Sequence, residues 1–307
     1  MFAYFAPNAS LINMKTLISL TAAVFLFSNS ALACFHFPNN YQGRLQEGTQ
    51  EVFMFHDGSD AHMVIRTQLQ AKKFPKEVAW VLPFPSLPSK YEEIKGIFFE
   101  EVKGLFPSEN RFGKGMDEGL GGSRGGSGHD GFKVHSTVAL ENYTIQPIEI
   151  LNEGAGNEFN AWLKKNKFNS MPLANQKYYL KKGAVFLAIR MNLNMPNPAN
   201  LTSKPLHIIY KADKLAVPMK FTHDSRQFDL DLYVFSKKEL KKDLSAMYLK
   251  NEEKVAYENK RETPFLDAII GKHKGFITRY EGKSLNKKGQ LIKNLQNDPE
   301  FLITELN

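Results

Sequence analysis

Cysteine is nearly absent: the 307-residue chain has one, Cys34. A single thiol closes no intrachain disulfide, so the fold must rest on burial and hydrogen bonding alone. Past Cys34 there is no apolar run near the ~18 residues a helix needs to span a bilayer. A concentrated charge of either sign is also missing. Forty Lys and Arg are interleaved with 32 Asp and Glu, for a net charge of +8. The densest group, Lys237-Lys238-Glu239-Leu240-Lys241-Lys242, reads as the solvated face of a helix. With no basic stripe and no binding motif, nucleic acid is not an expected partner. Catalytic signatures are lacking too. No Gly-x-Ser-x-Gly elbow nominates a nucleophile. Gly282-Lys283-Ser284 resembles the end of a phosphate loop, but Ile277 stands where its first glycine is required. The glycines of 119–126 lack the dinucleotide fingerprint and its preceding strand. No cofactor is expected.

What is present begins with an address. From Met14 the chain reads Met14-Lys15-Thr16, an apolar run from Leu17 to Phe27, Ser28-Asn29-Ser30, then Ala31-Leu32-Ala33. A short basic region, an apolar core and a small-x-small box make a secretion signal. Residues 1–33 are read as the signal peptide, with Met14 as the true start. Cleavage after Ala33 makes Cys34 the first mature residue. Two readings stay open there: a plain terminal thiol, or the diacylated cysteine of a lipoprotein. Ala31-Leu32-Ala33-Cys34 fits a permissive lipoprotein box, with Ala31 where leucine is usual. Two acyl chains suffice for stable membrane attachment.

The mature chain divides at a glycine-rich stretch, 113–131, read as a flexible loop. It separates an N-terminal part (34–112) from a C-terminal part (132–307), together expected to form one domain. In the first part, 49–57 and 60–70 read as strands joined at Asp57-Gly58, a strong hairpin signal. A strand over 77–82 runs into Pro83 and must end there or lie at a sheet edge. Ser89 followed by Glu92 forms a capping box, and Tyr91, Ile94, Ile97, Phe98, Val102 and Leu105 recur at helical spacing. In the second part, strands are expected near 133–138 and 143–151, then helices around Phe159, Trp162 and Leu163 and over 172–182, stopped at Gly183. Val185, Leu187, Ile189, Met191 and Leu193 share one strand face, as do Phe228, Leu230, Leu232 and Val234. Residues 206–210 and 217–222 read as shorter strands, and the tail from about 286 to 304 as short helices. Alternation of this kind predicts sheet with one buried and one wetter face, mostly antiparallel. The expected class is α+β: mainly antiparallel β-sheet with several flanking helices, near 89–105, 157–182 and 286–304.

Three groups of residues invite a chemical reading. His56, Asp57, Asp60 and His62 pack imidazole and carboxylate into seven residues, which suits a transition-metal site. The same segment is equally a polar hairpin turn, and no third strong ligand is fixed by spacing. Asp229 and Asp231 lie two apart on a strand, ~7 Å by the strand rise, which paired carboxylates can use in glycoside hydrolysis. They also read as the solvated face of that strand, with His223-Asp224 nearby. Trp80 and Phe84, beside Pro83 and Pro85, form either a binding ledge or part of the core.

An ordered series of segments then carries a resemblance. It comprises Cys34, the hairpin at Asp57-Gly58, Glu77-Val78-Ala79-Trp80-Val81-Leu82-Pro83-Phe84-Pro85, the glycine-rich interruption, and Glu141-Asn142-Tyr143. Ala161-Trp162-Leu163, Pro205-Leu206-His207-Ile208-Ile209-Tyr210, Ala216-Val217-Pro218-Met219 and Phe276-Ile277-Thr278-Arg279-Tyr280 complete it. Together they resemble the bacterial domain of unknown function 2330 family over nearly the whole mature chain. The resemblance implies an exported envelope protein without assigned activity and carries over no catalytic residues. It also implies further cysteines near the mature start and, in some members, a terminal membrane helix. This chain has neither, so membrane attachment would come through a lipid on Cys34. The expected function is an exported cell-envelope protein, in the periplasm or on the outer membrane, that binds or scaffolds an envelope protein or polymer without catalysis. The alternative is an exported hydrolase of peptide or glycan, which requires two or more of His56, His62, His223, Asp224, Asp229 and Asp231 to converge in a pocket.

Overall fold

The structure, a computed structural model, describes residues 35–36, 41, 43, 45–107, 131–166, 171, 173–193, 200–219, 227–258, 262–285, 295 and 297–307. The signal segment, Cys34, residues 113–130, His223 and Asp224 lie outside the described residues. Residues Ala31–Asn307 form one compact unit.

The strands are β1 (Phe35–His36), β2 (Leu45–His56), β3 (Ala61–Ala71), β4 (Glu77–Phe84), β5 (Lys90–Glu93), β6 (Phe132–Val134), β7 (Val138–Ala139) and β8 (Tyr143–Ile150). They continue as β9 (Val185–Asn192), β10 (Asn200–Thr202), β11 (Leu206–Tyr210), β12 (Lys214–Ala216), β13 (Phe228–Ser236), β14 (Lys250–Tyr257), β15 (Gly275–Leu285) and β16 (Glu300–Leu302). The helices are α1 (Phe98–Gly104), α2 (Gly156–Lys165), α3 (Leu173–Leu180), α4 (Pro264–Ile270) and α5 (Ile303–Leu306). One six-stranded sheet runs β1-β4-β9-β8-β6, with β7 also on β8. An eight-stranded sheet runs β14-β15-β13-β2-β3-β11-β5, with β10 also on β3. Strands β12 and β16 pair separately. Pairing is antiparallel except between β2 and β13. The class is α+β, mainly antiparallel sheet with flanking helices.

The two sheets face each other across the main core. Val52, Met54, Met63, Ile65, Leu230 and Leu232 from one meet Trp80, Leu82, Leu187 and Ile189 from the other. Phe84 sets its ring edge-on to Tyr210 across this seam, 4.9 Å between centroids. On the far side of the six-stranded sheet, α2 places Phe159 against Phe186 at 5.1 Å. On the far side of the eight-stranded sheet lies a second core. Phe53, Phe55, Val64, Tyr233, Phe235 and Ile277 pack there under Phe98, Phe99 and Val102 of α1 and Leu266 and Ile270 of α4. The order of layers is therefore helix, sheet, sheet, helix.

Several expectations hold. The β2–β3 hairpin turns at Gly58, whose φ of +108° suits glycine. Strand β4 continues through Pro83 to Phe84, and Pro83 lies where β1, which pairs only with Ala79 and Trp80, no longer reaches. Gly183, at φ +68°, ends the turn after α3.

Others are corrected. Residues 90–93 are strand rather than helix. Ser89 donates from its backbone N to Ile209 O (2.8 Å), and Ile94 N to Pro205 O (3.0 Å), so pairing with β11 overrides the local capping box. The helix is confined to α1. Of the expected strand at 217–222, 217–219 lie in no strand, the strand before them being β12, and 220–222 lie outside the described residues. In the tail, 286–294 and 296 lie outside the described residues; among the described ones 300–302 is strand and α5 is helical. Residues 237–242 form no helix: Lys242 is bonded to Glu305 (2.7 Å) and Lys254 to Glu239 (2.8 Å). The wetter sheet face is not wet along β13, because α1 and α4 cover it.

Candidate functional site

The second core has polar side chains at both ends. Along β3, His62, Val64 and Arg66 point to the same face. His62 marks one end and Arg66 the other.

At the His62 end, the hairpin turn builds itself from Asp57. Its Oδ1 accepts from the backbone N of Ser59 (2.6 Å) and Asp60 (2.8 Å), and its own N donates to Asp60 O (3.1 Å). This Asx-type turn aims Oδ2 at His62 Nε2, 3.2 Å away. Burial pushes the Asp57 carboxyl up, but the two backbone donors and His62 outweigh it and hold it down at about 2. On its other side, His62 Nδ1 meets His207 Nε2 at 3.1 Å. The ring centroids lie 5.3 Å apart, with planes 24° from parallel. Phe55 stacks on His62 at 4.2 Å. His207 Nδ1 has no hydrogen-bond partner among the described residues. It faces Glu92 Oε2 at 3.9 Å, and Glu92 is held by Lys90 at 2.7 Å. The imidazoles are 8% and 4% exposed. Burial lowers His62, against the pull of Asp57 and Asp60. It lowers His207 to about 4, helped by His62 and Lys90 and opposed by Glu92.

The four metal candidates do not converge. His56 uses both nitrogens locally, Nδ1 accepting from Gly58 N (3.1 Å) and Nε2 donating to Ala212 O (3.2 Å). Asp60 pairs with Lys211 at 3.0 Å. Asp57 and His62 bond each other. Among the described residues no group of three or more His, Cys, Asp or Glu is arranged to hold a metal. Trp80 and Phe84 are 0% and 2% exposed. They belong to the core between the sheets, where a ring offers no ledge to a ligand.

At the Arg66 end, charges are neutralised in place. Arg66 donates to both oxygens of buried Glu51, to Glu100 Oε1 (2.8 Å) and to Gly96 O (2.9 Å), over the ring of Phe99 at 4.9 Å. Lys103 also pairs with Glu51. Burial raises the Glu51 carboxyl, but Arg66 and Lys103 bring it below its ordinary value. Asp231, 5% exposed, pairs with Arg279 at 3.1 Å. It is not the solvated acid its spacing suggests, and burial holds it above the usual carboxylate range. Asp229 turns away to accept from Ser284 N at 2.8 Å. Lys283, 3.9 Å from Asp229, also acts on Asp231, so the two aspartates share one cation while their hydrogen bonds go to different partners.

His207 and Glu92 are the members that sequence reasoning missed. Residues 62 and 207 are 145 apart in the chain, and no spacing rule links them. The one signal is a histidine inside the apolar strand Leu206-His207-Ile208-Ile209-Tyr210.

Among curated proteins none matches the chain. Solved structures with a similar course include baculovirus P35, with TM-score 0.44 and 13% identity over 84% of this chain and 97% of that one. A mutated baculovirus P35 after caspase cleavage gives 0.41 and 10% over 83% and 97%. P35 in complex with caspase-8 gives 0.38 and 12% over 69% and 75%. Residues 29–260 match the family of uncharacterized proteins conserved in bacteria designated DUF2330, and the chain belongs to that family.

Proposed function

We propose that the mature chain is an exported cell-envelope protein that binds or scaffolds an envelope protein or polymer without catalysing a reaction. The observation that carries the export reading is the run from Met14 to Ala33, with a basic start, an apolar core and a small-x-small box ahead of Cys34. Strand β1 begins at the next residue, so cleavage there leaves the folded sheet intact. The non-catalytic reading rests on the engagement of the candidate side chains. His56 and Asp60 are tied to their own turn and its neighbour, and Asp229 and Asp231 hydrogen-bond to different partners. A hydrolase would need two of them to face one reacting atom. Membrane attachment, in this reading, comes from a diacyl group on Cys34.

The test is expression of the full chain with a fatty-acid probe, followed by fractionation and N-terminal mass analysis. The expected result is a mature chain starting at Cys34, labelled and in the envelope fraction, with label and membrane retention lost in Cys34→Ser. An unprocessed chain in the cytoplasm would overturn export. Equal label on wild type and Cys34→Ser would overturn the lipid.

A further inference from the structure

We propose that edge strand β5 is an acid-released latch: His207, buried beside it on β11, takes a proton only when β5 lets go of β11. The inference is independent of export and of the lipid on Cys34.

The order of hydrogen bonds fixes the state of each ring. Ionised Asp57 can only accept, so His62 Nε2 carries the hydrogen between them. A neutral His62 then has a bare Nδ1, and the 3.1 Å contact requires His207 Nε2 to donate. A neutral His207 is left with a bare Nδ1. That atom is buried and without a partner among the described residues. Glu92 lies directly opposite His207 in the β5–β11 register, but its oxygen is 3.9 Å away, beyond hydrogen-bond reach. The closed strand thus flanks a buried base without bonding it.

The charges around this base come from every neighbouring element. Glu92 of β5 favours a proton there. Lys90 of β5 and a protonated His62 of β3 oppose it. Behind His62 stand Asp57 and Asp60 of the turn, His56 of β2, and Lys211 after β11, which pairs with Asp60. Burial adds to the opposition and prevails, leaving His207 at about 4 instead of 6.5. Opening β5 to water restores the ordinary value, so a proton prefers the open strand on the order of a hundredfold.

Release has a structural consequence. On the other face of β5, Glu93 accepts from Asn142 N (2.6 Å) and Asn142 Nδ2 (2.8 Å), which ties the eight-stranded sheet to the start of β8 in the other sheet. Letting go of β5 cuts that tie and bares the backbone edge of β11, a surface onto which another strand can add.

Amide hydrogen exchange on the whole mature protein, corrected for intrinsic rates, tests the latch between pH 7 and pH 4.5. The amides of Ser89 and Ile94, both bonded across to the β11 segment, should lose protection at least tenfold relative to central β13 amides. His207→Gln should abolish that relative loss. Glu92→Gln, a change at a half-exposed site, should leave the onset in place and deepen the loss toward pH 4, because it removes the one charge favouring a proton in the closed form. Uniform loss at β5 and β13, or an unchanged β5 profile in either variant, would overturn the proposal.

Discussion

The two ends of the outer face of the eight-stranded sheet bury polar groups in opposite ways. At one, Arg66 and Arg279 are matched by Glu51, Glu100, Asp231 and Glu281. At the other, His62 and His207 are buried as neutral rings that share a hydrogen, with one nitrogen left over. On β3 they stand four residues apart, about 13 Å by the strand rise, with Val64, Phe53 and Tyr233 between. A guanidinium does not titrate and Glu51 is held below its ordinary value, so the Arg66–Glu51 pair persists over a wide pH range. An imidazole does titrate, so the second end holds only while the rings stay neutral. Within the first end burial and pairing compete: Glu51 is brought below its ordinary value by Arg66 and Lys103, whereas burial holds Asp231 above it despite Arg279, Lys283 and Lys103.

The largest effect we expect is from Arg66→Met. It strands Glu51 in the core with only Lys103 beside it, at a cost of about 3–5 kcal/mol in urea unfolding at pH 7.5. The double change Glu51→Gln with Arg66→Met should recover most of that loss. A small effect of the single change would mean that this end is not held by charge, and the contrast between the ends would fail.

Glu47 sharpens the contrast by removing a confounding titration. It is buried beside Gln50 on β2, and burial pushes it up to about 7 despite hydrogen bonds from Gln50 and Thr67. Its folded value lies above its unfolded one. Its contribution is therefore present in acid, begins to fall above pH 4.5 and is lost as pH rises through 7. Glu47→Gln should remove an alkaline loss of about 2–3 kcal/mol, seen as a flatter stability profile between pH 5 and 8. A smaller effect concerns the lid over both ends. Glu101 of α1 accepts from the backbone N of Phe265 and Leu266 at the start of α4, at 2.9 Å each. Glu101→Ala should cost about 1 kcal/mol and loosen α4 in hydrogen exchange before β13 is affected.

Much of the inner architecture was legible in the sequence, because its signal is local. Alternation in 185–193 and 228–235 marks the faces turned to the main core, and Asp57-Gly58 marks the hairpin. The outer face was hidden. Glu51, Arg66 and Asp231 interrupt Phe53, Phe55, Tyr233 and Phe235, so those strands look half polar. Their charges are cancelled by partners 15 and 48 residues away, which local pattern cannot reveal. Residues 89–93 failed for the complementary reason: Ser89 and Glu92 carry a true capping signal, yet β11 offers the same backbone groups a better partner. The histidine line is hidden for both reasons, since Glu92 carries a helix signal and His207 sits in an apolar strand.

The contrast between the ends is tested most directly by urea unfolding from pH 7.5 to pH 4, in a Glu47→Gln background with and without His207→Gln. His207 is depressed from 6.5 to about 4 in the fold, so its stabilisation is fully present above pH 6.5 and is lost as pH falls toward 4. We predict that the parent loses about 3 kcal/mol over that window and that His207→Gln flattens the slope, while the double change Glu51→Gln with Arg66→Met, which strands no carboxylate, leaves it unchanged. Equal slopes with and without His207, or a slope flattened by the double change Glu51→Gln with Arg66→Met instead, would contradict the assignment of the pH-sensitive end.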